Sequence, residues 1–122
     1  MRYVVILIWL LVVLSCMGNP NMKMTEFRTG TFKTVLEDSE TVSYARRNDS
    51  IQIEDFNGAR DTFDIKWLDQ FEYVLTKRHP KTQLDSTPFH VKITSVKENQ
   101  YSFSAYYKGS NFKQKGTAEK IK

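Results

Sequence analysis

Residues 63–67 read Phe-Asp-Ile-Lys-Trp, and this alternation of apolar and charged side chains restricts the fold more than any other feature of the chain. In an extended strand successive side chains point to opposite faces, so Phe63, Ile65 and Trp67 share one face and Asp64 and Lys66 the other. The same period returns in Phe71/Tyr73/Leu75, in Phe89/Val91/Ile93 and in Tyr101/Phe103/Ala105/Tyr107, and more weakly in Val42/Tyr44 and Ile51/Ile53. Residues 27–36 are apolar on both faces, and 112–121 are mostly polar around Gly116. Together these make eight candidate strands. Such strands pack one face and wet the other, which is the habit of antiparallel sheets.

Turn residues set the expected registers. Asn48-Asp49 suits a two-residue hairpin turn that places Tyr44 opposite Ile53. Asn57-Gly58 is a strong signal for a tight turn, but its two-residue register would set Ile53 against Thr62. Matching apolar faces instead pairs Ile53 with Phe63 and predicts a longer loop or a bulge there. Trp67 is expected opposite Phe71, Ile93 opposite Phe103 with Lys97-Glu98-Asn99 at the tip, and Phe103 opposite Gly116, where an aromatic ring covers a strand glycine. Residues 77–88, with Pro80 and Pro88, form the one long loop. The fold class is therefore all-β, a single antiparallel up-and-down meander of eight strands. A small lipocalin-like barrel is the preferred form, with a strongly curved open sheet or a two-layer sandwich as the alternative.

The N-terminus has a different character. Arg2 precedes an unbroken apolar run over residues 3–14, followed by Ser15 and Cys16. A membrane-spanning helix needs roughly 20 apolar residues, and after Cys16 the chain turns polar at once. The pattern is an export signal over residues 1–15. Val13-Leu14-Ser15-Cys16 resembles the lipobox of bacterial lipoproteins, which implies cleavage before Cys16 and lipid on its sulfur and its new amine. Residues 16–25 would then be lipidated cysteine and tether, and 26–122 the β domain. The expected address is the cell envelope, anchored in the outer membrane and facing the periplasm. Cys16 is the single cysteine, so no disulfide framework is available.

Two further resemblances extend this. Phe27-Arg28-Thr29-Gly30-Thr31-Phe32 is similar to the first strand of lipocalins, with Phe32 in place of the tryptophan that closes one barrel end. Over nearly the whole chain, the pieces FRTGTF, RNDSIQIEDFNG, DTFDIKW, FEYVL and KQKGTAEKI resemble a family of short exported bacterial lipoproteins of unknown function, often mislabelled "DNA topoisomerase IV". A topoisomerase subunit is several times longer and works in the cytoplasm. The resemblance implies a cysteine before the first strand and another before the Glu-Tyr strand. Here those positions hold Met24 and Phe71, which implies a disulfide replaced by an apolar contact.

Catalytic and cofactor signals are weak. The five glycines are dispersed, so no phosphate loop forms. His79 lies in the long loop, and His90 alternates out of phase with Val91 and Ile93, on the face expected to be exposed. Glu54, Asp55, Asp61 and Asp64 gather around one hairpin, where Arg60 and Lys66 are expected to offset them, so no metal or other cofactor is expected. The chain carries 18 Lys+Arg against 14 Asp+Glu, for a formal charge of +4. The signs are mixed along the sequence and no recognition motif accompanies them, so no nucleic-acid partner is expected.

Trp67, Tyr73, Tyr101 and Phe103 are the candidate ligand-binding residues, since aromatic walls with a few polar groups make small-molecule sites. The preferred function is a non-enzymatic, membrane-anchored module that binds a small apolar or amphipathic ligand. A cavity of roughly 300 Å³ or more would favour it. The alternative is a protein-interaction module of the envelope, an inhibitor or accessory subunit, acting through the loop at 77–88. An enzyme ranks last.

Overall fold

The computed structural model describes residues 20–122. The expected export signal, Cys16 and the first part of the expected tether lie outside the described residues. The eight strands are β1 (Gly30–Leu36), β2 (Val42–Arg47), β3 (Ile51–Phe56), β4 (Ala59–Trp67), β5 (Glu72–Lys77), β6 (Phe89–Lys97), β7 (Gln100–Tyr107) and β8 (Gln114–Lys120). Each pairs antiparallel with the next, and β8 returns to β1, closing the barrel. Closure pairs every strand on both sides, which removes the exposed edges an open curved sheet would leave.

The interior is filled by pairing large side chains with small ones across the ladders. Phe32 stands opposite Ala45, Tyr101 opposite Ala118 and Phe103 opposite Gly116. Each small partner leaves room for a ring to extend across the barrel. At Gly116 the fit is tight: an added Cβ would lie 2.6 Å from the Val35 carbonyl oxygen and 2.8 Å from Phe103 Cζ. The expected aromatic cover over the strand glycine is therefore present.

The registers differ from expectation on one side of the barrel. Phe56 pairs with Ala59 and Ile53 with Thr62, so the tight Asn57-Gly58 turn prevails and no bulge forms. Both turn residues have positive φ, 49° and 80°, which Asn and Gly tolerate. Across β2 and β3, Tyr44 meets Asp55 and Arg47 meets Gln52, with Asp49-Ser50 at the tip. Asn48 Oδ1 accepts from the Ser50 and Ile51 amides there. Tyr44, Ile51 and Ile53 thus face outward, while Ala45, Arg47, Gln52 and Glu54 face in. Local turn chemistry decides the register here because the barrel interior accepts this polar set.

Trp67 pairs with Tyr73 rather than Phe71, a two-residue slide that keeps the same faces inside. Ile93 does face Phe103, and a bulge between Ile93 and Ser95 shortens the tip beyond it to Glu98-Asn99. Phe71 is 49% exposed, whereas Met24 packs against the core.

Residues before β1 seal one barrel end. A 3₁₀ turn at Met24–Arg28 carries Phe27, which is fully buried. Phe27 meets Tyr101 edge-on at 5.2 Å and Phe32 at 6.4 Å. Upstream, Met22 N–H donates to the Glu98 carbonyl, and Asn21 Oδ1 accepts from the Glu98 amide at 2.8 Å. Much of the expected tether is therefore a strap across the closed end.

Candidate functional site

Two layers divide the barrel interior. At the closed end Arg47 is buried among aromatic rings. Its guanidinium donates to the Phe27 carbonyl at 3.0 Å, to Tyr101 Oη at 3.0 Å and to Tyr73 Oη at 3.3 Å. The two tyrosine hydroxyls also bond each other at 2.9 Å. The cation lies 4.1 Å over the Phe32 ring and 4.9 Å over Tyr73, so ring faces and oxygens replace its hydration. Burial works against its charge, but the Tyr101 and Tyr73 groups outweigh that, and its pKa is raised. Burial pushes the Tyr73 hydroxyl well above its ordinary value despite Arg47, which keeps it neutral.

The opposite end, ringed by the turns at 37–41, 57–58 and 108–113 and the loop at 78–88, is open. A cavity of about 150 Å³ descends from it, walled by Arg47, Gln52, Glu54, Tyr73, Val91 and Phe103 among others. A wider basin of about 240 Å³ lies above, between Glu54, Asp61, Lys77, Asp85, Phe89 and Tyr107. A second, of about 350 Å³, runs from Glu54 past Asp61 to Phe56. Glu54 borders all three. The inner cavity is below the roughly 300 Å³ at which ligand pockets begin; the two basins are separate spaces that share Glu54 with it.

Alternation along β3 aims Gln52 and Glu54 at this space. Gln52 Nε2 donates to Glu54 Oε1 at 2.8 Å. Gln52 is 2% exposed, and its Oε1 has no hydrogen-bond partner. Glu54 stands opposite Asp61 in the β3–β4 ladder. Burial raises the Glu54 pKa; Gln52 and Arg47 pull it back without overcoming burial, and Asp61 pushes it further up. Lys77 Nζ lies 3.5 Å from Asp61 and 3.8 Å from Asp85.

The acidic hairpin is thus split by the pleat. Glu54 and Asp61 face the mouth, while Asp55 and Asp64 face out and pair with Arg60 and Arg78. Arg60 offsets Asp55 as expected; Arg78 rather than Lys66 holds Asp64. His90 does lie on the outer face, but Glu72 at 3.1 Å and a parallel Tyr106 ring at 5.2 Å partly cover it.

Of the four sequence candidates, Tyr73 and Phe103 wall the inner cavity. Tyr101 is fully buried in the closed end, and Trp67 packs on Tyr73 at 4.7 Å with Arg28 over its ring at 5.0 Å. Glu54 and Asp61 were expected only as members of an offset acidic hairpin, and Gln52 and Lys77 were not anticipated. The Asn57-Gly58 turn, taken at its simplest register, would have turned Gln52 and Glu54 inward together.

The fold and site define a closed eight-stranded up-and-down barrel with one end plugged and the other open. Comparison with protein-family models, curated proteins and solved structures finds no match to this chain.

Proposed function

We propose that this chain is an exported, lipid-anchored, non-enzymatic binding module that takes a small amphipathic ligand into the open barrel end. The observation that carries this reading is the asymmetry of the interior. Phe27 and the Arg47 cluster fill one end, while a cavity reaches from the other end down to Gln52. A polar wall on β2 and β3 faces an apolar wall of Leu75, Val91 and Phe103, which suits a ligand with one polar end.

The strap supports an orientation. With lipid on Cys16, the stretch 16–21 spans at most roughly 20 Å. It enters the barrel at the closed end, where Asn21 and Met22 bond Glu98. The mouth then points away from the outer membrane into the periplasm.

Native mass spectrometry of the protein extracted from its membrane tests this. The expected species is a chain beginning at Cys16 with added acyl mass and a small molecule bound. Amide shifts on releasing that molecule should cluster at 52–54, 75–77 and 89–91. Shifts confined to the closed end, or extraction with no small molecule at all, would argue against the cup. A second reading, protein recognition through the rim, is favoured by Leu84, which stands 57% exposed on the loop at 78–88.

A further inference from the structure

We propose that the ligand of this cup carries a primary ammonium group, held between the Glu54 carboxylate and Gln52 Oε1, with its carbon chain against Leu75, Val91 and Phe103. This rests on the ligand-binding reading and adds the chemical class.

The first observation is the unpartnered acceptor. Gln52, which lines the inner cavity, spends its amide N–H on Glu54, which fixes the amide orientation and leaves the buried Oε1 without a donor. A buried acceptor left unpaired is costly, and the missing partner is a hydrogen-bond donor. An ammonium supplies several donors from one small group.

The second is charge. Glu54 and Asp61 are directly opposed on the inner face, an arrangement that like charges disfavour. Lys77 is shared between Asp61 and Asp85. The mouth thus holds three carboxylates against one lysine, on a chain whose formal charge is +4. A cation entering between Glu54 and Asp61 relieves their repulsion.

Arg47 is the competing consideration. It borders the cavity, and its Nε is unpartnered. Its other donors are committed to Phe27, Tyr73 and Tyr101 at the closed end. An anion seeking Nε would have to lie beside Glu54 after passing Asp61 and Asp85, so the path to Arg47 selects against it.

Matched short probes test the assignment on the anchored protein in phosphatidylcholine nanodiscs, read by the Gln52 side-chain amide resonance. n-Butylammonium should bind saturably and at least roughly tenfold more tightly than n-butanol, as expected for a charged hydrogen bond. Butyrate should give no saturable shift. Glu54→Gln should weaken n-butylammonium by roughly tenfold or more and leave n-butanol unchanged. Asp61→Asn, at the rim, should weaken it by roughly twofold to fivefold. Lowering pH should weaken it as Glu54, which has Arg47, Asp61 and Lys77 as charged neighbours, takes a proton.

Butanol binding as tightly as butylammonium, tight butyrate binding, or an unchanged Glu54→Gln affinity would overturn the cationic assignment and leave the cup standing. If no probe binds, both readings fall.

Discussion

Arg47 on β2 donates a 3.0 Å hydrogen bond to the hydroxyl of Tyr101 on β7, joining two strands that are not neighbours in the barrel. Ladders tie each strand only to the next, so this contact and the one to Tyr73 brace the closed end across its interior. The cation there has rings, a carbonyl oxygen and tyrosine oxygens around it and no carboxylate at bonding distance among the described partners.

Arg47→Ala should destabilise the fold by about 3 kcal/mol or more, because it opens a cavity and leaves the Phe27 carbonyl unpaired. Arg47→Met fills much of the volume and removes the buried charge, and the tyrosine hydroxyls retain each other. Its cost should therefore be clearly smaller. Urea unfolding of both variants decides this: equal losses would mean that the guanidinium with its hydrogen bonds and π contacts, rather than the volume it fills, carries the cost.

Two glycines should respond differently to alanine. At Gly116 the new methyl meets the Val35 carbonyl, a backbone atom that cannot swing away, so the loss should be about 1–3 kcal/mol. At Gly58 nothing lies within 4 Å, but φ is +80°, and only conformational strain of about 1 kcal/mol is expected. Thermal denaturation should rank Gly116→Ala below Gly58→Ala.

Glu54 should make the protein less stable as pH rises. Its pKa in the fold lies above the ordinary 4.5, chiefly because burial disfavours the carboxylate. Folding therefore favours its protonated form. That contribution is full below 4.5, declines as pH climbs through the interval up to the folded pKa, and is absent above it. Asp85, lowered chiefly by the Lys81 backbone N–H, acts in the opposite sense, and its stabilisation fades as pH falls below 3.8. Glu54→Gln should raise Tm relative to the parent near about pH 7 and match it near about pH 4. A parallel offset at both pH values would mean that Glu54 does not titrate anomalously.

On the proposed lipid anchor, Cys16→Ser should move the protein from the membrane to the soluble fraction, since the thioether could not form. Stable anchoring takes two or more acyl chains. Fractionation and intact mass check this, and a variant that stays membrane-bound would point to an uncleaved N-terminal segment as the anchor.

Much of the barrel was legible because its apolar strands state their inner face twice, by alternation and by partner. Phe63/Ile65/Trp67 and Tyr101/Phe103 are examples, and Gly116 beneath Phe103 follows from the same register. The β2–β3 hairpin was not legible by that rule. Tyr44, Ile51 and Ile53 look like core positions in isolation, but they sit on the wet side, and Arg47, Gln52 and Glu54 occupy the interior. The candidate site inherits this: aromatic candidates were visible in the sequence, whereas the polar groups of the cup were concealed by the assumption that inner faces are apolar.

By itself the sequence determined the strand class, the number of strands and the places where the chain turns, because side-chain period and turn chemistry act over a few residues. Only the tertiary structure decided which end is sealed and whether the interior accepts the polar face of β3 that the Asn57-Gly58 turn presents. Those outcomes depend on closure of β8 onto β1 and on groups far apart in the chain, such as Phe27, Arg47 and Tyr101, meeting at one end. A buried guanidinium becomes tolerable only once that cluster has formed around it.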